Sequence, residues 1–195
     1  DYFGLIFHGH TVTHIDSLAH FFWDGQTFNG RPSSVVSTAE GATEFDVMAA
    51  SEGIVTKGVL VDAPLVRGVE YIERGDGVGI SDIEGAEQKH GVRLERGDVL
   101  LMRTGQLGRR EVTGPVDTWV GGSSGPSPEI LPLLHEREIA VMGSDTGNDV
   151  VPNPYQRFSN PVHQVGIVGL GLWILDNAWL DDLAEACRQR GKWEF

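Results

Sequence analysis

The chain predicts a mixed α/β domain, and three observations carry that reading. Short runs rich in β-branched and aliphatic residues fall at 8–16, 54–62, 99–103, 140–142 and 165–175. Stretches with helical spacing separate several of them, an alternation that builds a sheet flanked by helices. The length of 195 residues, 40% of them apolar, suffices for one buried core without disulfides or metal staples, so 1–195 reads as a single domain.

The first strand run carries the most chemistry. Between His10 and His20 the chain reads His-Thr-Val-Thr-His-Ile-Asp-Ser-Leu-Ala-His. His10, His14, Asp16 and His20 all have even numbers, so an extended backbone would point them to one side. Thr11, Val12, Thr13 and Ile15 favour a strand because branching at Cβ suits the pleat. A helix would turn Asp16 more than a hundred degrees away from His10 and His14. Imidazole and carboxylate ligands suit zinc, manganese or iron, and a site with only three protein ligands leaves positions where a water can bind and ionise near neutral pH. His20, just past the strand, is then the proton carrier, since histidine titrates near the working pH. A lone histidine is more often a surface or core residue; four matched groups at this spacing argue for a site.

The later elements follow in order. Ser81 looks like a cap for a helix running to His90. Pro128 suits the first turn of another, whose apolar face is Ile130, Leu131, Leu133 and Leu134. The segment 181–190 places acids first and bases last, as a C-terminal helix dipole prefers, with Cys187 as a packing residue. The apolar run 165–175 reads as a buried strand or strand pair, since it is about half a membrane span and is broken by three glycines.

The His10–His20 block resembles the signature of the metal-dependent cyclase and kynurenine formamidase family, His-x-Gly-Thr-His-x-Asp-x-Pro-x-His. His10, Thr13, His14, Asp16 and His20 match it, while Val12 and Leu18 stand where the family has glycine and proline. Gly58-Val-Leu-Val-Asp62, Gly97-Asp98 through Arg103-Thr104-Gly105, and Ala140 through Asp145 are similar to its later strands in the same order. The resemblance implies a swivelling β/β/α architecture, a mixed sheet with flanking helices. It also implies that His163 and Asp176 complete the metal centre, the latter where glutamate is more usual, and that one or two divalent ions, zinc or manganese, are bound. The implied activity is hydrolysis of an amide, cyclic amide or lactone by metal-bound hydroxide, with N-formylkynurenine-like, isatin-like or dienelactone-like substrates. Relatives assigned to polyketide cyclisation leave a cyclase or lyase open. The family normally has strands upstream of this block, so an N-terminal strand region is expected to precede the sequence given. A homodimer or homotetramer in the cytoplasm is the matching expectation.

A net charge of −13 disfavours nucleic acid and anionic membrane surfaces as partners and leaves a small molecule. Phe22 and Trp23, directly after His20, are candidates for a pocket wall against a cyclic or aromatic substrate, although Phe21 and Phe22 suit core packing equally well. Gly121-Gly-Ser123-Ser-Gly125 matches the nucleophile-elbow letters, and with His135 or His163 would make a metal-free serine hydrolase. Pro126 and Pro128 interrupt the strand-to-helix turn such an elbow needs, so a loop beside the pocket is the better reading. A non-catalytic metal-binding protein is the remaining rival, one that would keep His10, His14 and Asp16 without needing His20.

Overall fold

The computed structural model describes Gly4 and residues 8–195. Its centre is a five-stranded sheet of β1 (His14–Asp16), β2 (Gly58–Asp62), β3 (Val99–Arg103), β4 (Val141–Ser144) and β5 (Trp173–Asp176). The spatial order is β1-β5-β4-β3-β2; β2 to β5 run parallel and β1 runs antiparallel to β5. Parallel strands need crossovers that cover both sheet faces, so their sequences are apolar on both sides. β2 shows this directly. Val59 and Val61 enter one buried layer with Leu100, Met102, Met142 and Ile174, under Ile83 and Ala86 of α2 (Ile80–His90) and Leu131 and Leu134 of α4 (Leu131–Glu136). Leu60 and Leu101 enter the opposite layer with Ala184 and Cys187 of α5 (Asp181–Arg190). Two shorter helices, α1 (Ala63–Arg67) and α3 (Gln106–Thr113), leave the ends of β2 and β3. Helices on both faces of a mixed sheet match the architecture expected from the sequence.

Three element assignments need correction. The run 8–16 is a strand only from His14; His8 to His10 form a turn, with Gly9 at φ 108°, a value that favours glycine. The run 54–62 pairs only from Gly58. The run 165–175 is split: Gln164–Leu170 is a π-helix, and only Trp173–Asp176 is strand. Pro161 sits in the first turn of the helical segment, and Gly171 ends it in the left-handed region at φ 69°. A short buried apolar run does not reveal its period, so helix and strand were indistinguishable there. The helix expected from Ser81 starts at Ile80, and Asp82 supplies the cap by accepting from the Gly79 N–H at 2.8 Å.

The outer edge of β2 is covered by the last residues. Gly58 and Phe195 exchange backbone hydrogen bonds of 2.7 and 3.0 Å, and the Leu60 N–H donates to the Trp193 carbonyl at 3.0 Å. Trp193 stacks on His90 at the end of α2 with ring centroids 3.9 Å apart. Among the described residues no helix is long and apolar enough to cross a membrane.

Candidate metal centre

β1 and β5 build the site. Their antiparallel register places His14 opposite Asp176 and Asp16 opposite Ile174, so the two carboxylates and His14 lie on one face. A close pair on neighbouring strands brings side chains within about 5 Å at Cβ. His14 Nε2 stands 3.8 Å from both Asp16 Oδ1 and Asp176 Oδ2. From the short helix Pro161–His163, just before the π-helix, His163 Nε2 reaches within 3.3 Å of Asp16 Oδ2 and 3.7 Å of Asp176 Oδ2. His14, Asp16, His163 and Asp176 are all buried. Two groups of ligand atoms, each within 4.8 Å of one another, result: Asp16 with His163 and Asp176, and Asp16 with His14 and His8. Asp16 belongs to both.

The surroundings orient these groups as a cation would require. His14 Nδ1 lies 2.8 Å from the Val12 carbonyl, which needs a proton on Nδ1 and turns Nε2 toward the carboxylates. His163 Nδ1 lies 2.6 Å from Asp149 Oδ2, which likewise turns Nε2 toward Asp16 and Asp176. Asp176 Oδ1 accepts from the Asn148 amide at 2.6 Å, which frees Oδ2 for the cluster. Asp16 Oδ2 is fully enclosed and has no hydrogen bond of good geometry, although it faces His163 and, at 3.6 Å, His20. Burial alone would lower the pKa of His163, but the hydrogen bond to Asp149 and the facing carboxylates of Asp16 and Asp176 outweigh it and hold the ring well above the usual histidine range. Burial raises Asp176, yet His163 brings it below the usual carboxylate range, whereas burial wins at Asp149 and raises it. Three buried carboxylates around the histidines form a pocket of negative potential that a proton on His163 offsets in part and a divalent cation would offset further. The donor set fits such an ion, with two or three imidazoles and two carboxylates.

The other sequence-predicted residues fall around this cluster. His20 is half-buried at its rim, hydrogen-bonded to His8 at 2.8 Å between Nε2 atoms. Burial lowers its pKa against the opposing pull of Asp16, so its ring is neutral at neutral pH. His10 stands outside both ligand groups. Its ring lies against Gly147, where a Cβ would meet His10 Cε1 at 2.7 Å and Asp176 Oδ2 at 3.8 Å, so only glycine allows this approach. Burial lowers the His10 pKa, with Asp176 pulling the other way. Phe21, given a core role by the sequence, is the ring that meets both His20 and His163 at 5.1 Å. Phe22 is half-buried beside it, and Trp23 packs on Phe158 at 4.9 Å under the Arg157 guanidinium at 5.3 Å. Sequence reasoning missed His8. Asn148 and Asp149 are readable only as Asx residues in a loop at a strand end, where sites form but where such residues are also ordinary, and nothing in their spacing points to His163.

The remaining motif strands serve the frame. Arg103 at the end of β3 bridges Asp62 of β2 at 2.8 Å and Asp181 of α5 at 2.6 Å. Thr104 and Gly105 hold the fully buried Asp145 by three 2.8 Å hydrogen bonds; burial nevertheless raises its pKa to about 6. Ser123 is buried, and its hydroxyl donates to the Ser124 carbonyl at 2.8 Å. His163, its candidate base, has both ring nitrogens directed at carboxylates, and His135 lies on α4.

A family model described as "Putative cyclase" matches residues 3–148. The chain belongs to this cyclase family. Among solved structures, a crystal structure of "a novel cyclase" is 29% identical with a TM-score of 0.83, covering 94% of this chain and 60% of that one. Isatin hydrolase A from Labrenzia aggregata bound to benzyl benzoate is 20% identical with a TM-score of 0.51, covering 93% and 76%. An isatin hydrolase bound to the product analogue thioisatinate is 19% identical with a TM-score of 0.58, covering 88% and 60%. At those identities the two hydrolases share the fold. No curated protein matches. The chain spans about 60% of the length of the novel cyclase.

Proposed function

We propose that this chain carries the site of a metal-dependent hydrolase acting on an amide, cyclic amide or lactone. The observation that carries the reading is the convergence of buried Asp16, His163 and Asp176, with no lysine or arginine paired to them among the described residues. His14, Asp16, His163 and Asp176 would hold the ion, with His8 and His10 beside them. When bound, a divalent cation such as zinc or manganese supplies Lewis acidity to an acyl carbonyl and lowers the pKa of water.

The chain's own residues supply the rest. Val12 and Asp149 fix the rings of His14 and His163 so that neither must reorganise during turnover. His20, neutral and at the rim, takes a proton and returns it to the leaving nitrogen or oxygen, while His8 holds the ring through its Nε2. Phe21 closes one wall beside both histidines and excludes water. Phe22 and Trp23 extend the apolar side toward Phe158 for a flat or cyclic substrate.

The fold shared with isatin hydrolases makes isatin the first substrate to assay, followed by N-formylkynurenine and a dienelactone. Elemental analysis should find one or two equivalents of zinc or manganese, chelation should abolish hydrolysis, and returning the metal should restore it. Hydrolysis that survives complete metal removal would sink the proposal. A protein that holds metal but turns over none of these compounds would favour the cyclase or non-catalytic reading. Should two ions bind, Asp176→Asn should lower the count toward one, because an amide is a poorer ligand than a carboxylate.

A further inference from the structure

Five arginines are neither exposed nor buried but lie between, at 74, 103, 109, 110 and 137. Three of them face carboxylates: Arg103 meets Asp62 and Asp181, Arg109 meets Glu73, and Arg137 meets Glu87. The remaining two pair with no carboxylate among the described residues. Arg110 gives one N–H to the His10 carbonyl at 2.7 Å. Arg74 makes no hydrogen bond or ion pair with described residues. In a chain with nearly twice as many acids as bases, 28 against 15, that is an unexpected omission. Both side chains line the same cleft, together with His10, Thr118, Asp145 and Asn177. This cleft adjoins the metal centre: Asn177 follows Asp176, and the His10 ring is separated from Asp176 by the bare face of Gly147.

A guanidinium withdrawn part-way from water keeps its donors costly unless an acceptor arrives, and its planar fork matches a carboxylate two bonds at a time. The carboxylate already in the cleft, Asp145, is committed to Thr104 and Gly105. We infer that Arg74 and Arg110 form an anion subsite for a carboxylate carried by the substrate, away from the bond that is cleaved. Calling the ligand a substrate rests on the hydrolase reading; the subsite itself does not. The selected compounds are then acidic acyl compounds, such as an N-acylated amino or aminobenzoic acid, rather than neutral amides of the same size.

Binding of benzoate and of benzamide to the metal-loaded protein, measured by calorimetry, tests this. The pair differs in charge and little else. Wild-type protein should prefer benzoate, and Arg74→Gln and Arg110→Gln should each weaken benzoate by about tenfold while leaving benzamide within about twofold, the worth of a charge-assisted pair. Arg74→Lys and Arg110→Lys, which keep the charge and lose the fork, should fall between and also serve if a glutamine variant folds poorly. Metal content, measured alongside, separates ligation of benzoate by the ion, which all variants share, from the arginine contribution. Equal wild-type affinity for the two probes, or benzoate affinity unchanged in both glutamine variants, overturns the subsite. Absence of any hydrolysis by wild-type protein would count against the hydrolase reading and leave the binding result standing.

Discussion

Two carboxylate clusters in this molecule are built alike and completed differently. At the ends of β2 and β3, Asp62 and Asp181 meet Arg103 and Arg188, two negative charges against two positive ones, with contacts of 2.6 to 3.0 Å. Around β1 and β5, the only ionisable partners of Asp16, Asp149 and Asp176 among the described residues are imidazoles. Buried carboxylates are tolerated when a permanent cation neutralises them, and the first cluster is a structural clasp of that kind. The second lacks a permanent cation, so its charge is open to whatever binds. The difference teaches that burial of acids identifies neither a site nor a strut; the kind of partner does.

The sharpest way to break the comparison is at His14. His14→Ala should lower metal occupancy and turnover sharply, because Asp16, His163 and Asp176 are left to hold the ion without the fourth ligand. A variant that copurifies with full metal and full activity would show that the β1 cluster is a strut too. His20→Ala comes next, with metal retained and a loss of about two to four orders of magnitude in rate, the usual worth of a positioned acid or base. Metal lost in parallel with rate would move His20 from proton carrier to ligand.

At the clasp the expected effect lies in stability. Arg103→Ala leaves Asp62 with Arg188 alone and Asp181 without its guanidinium, which should cost about 3 kcal/mol in urea unfolding while the folded protein keeps its metal. Loss of metal with little loss of stability would show that the two clusters are one functional unit. The smallest effect is expected at Ser123, which belongs to neither. Ser123→Ala should cost less than tenfold in rate, whereas loss of a true serine nucleophile costs on the order of a millionfold.

The sequence disclosed these regions unequally. β3 and α5 run over the residues their patterns predict, since 99–103 is a bounded apolar run and 181–190 carries its own charge order. His14 and Asp16 were readable as a pair because a strand alternates, even though the strand is only three residues long. The same rule groups His10 with them and does not apply there, because the chain turns before β1 and parity ceases to matter; it gave no notice of His8. The partnership of Asp149 with His163 spans fourteen residues and depends on a short helix meeting a loop, which no local spacing encodes. The π-helix was hidden for a related reason: its apolar composition suits a buried strand as well. The split between clasp and open cluster likewise exists only in three dimensions.

The tail that closes β2 has a bearing on how the protein would behave in concentrated solution. A parallel sheet whose outermost strand is as apolar as Val59-Leu60-Val61 would offer unpaired N–H and C=O groups to any neighbouring chain, and such edges recruit copies of themselves. Trp193 and Phe195 occupy those groups, and the Phe195 ring is packed so tightly on Gly58 that a Cβ there would fall 2.6 Å from it. Gly58→Val should therefore pry the tail away and leave a sticky edge, producing turbidity or large species in light scattering. The candidate ligands on β1 and β5, four and three strands away across the sheet, would still be in place.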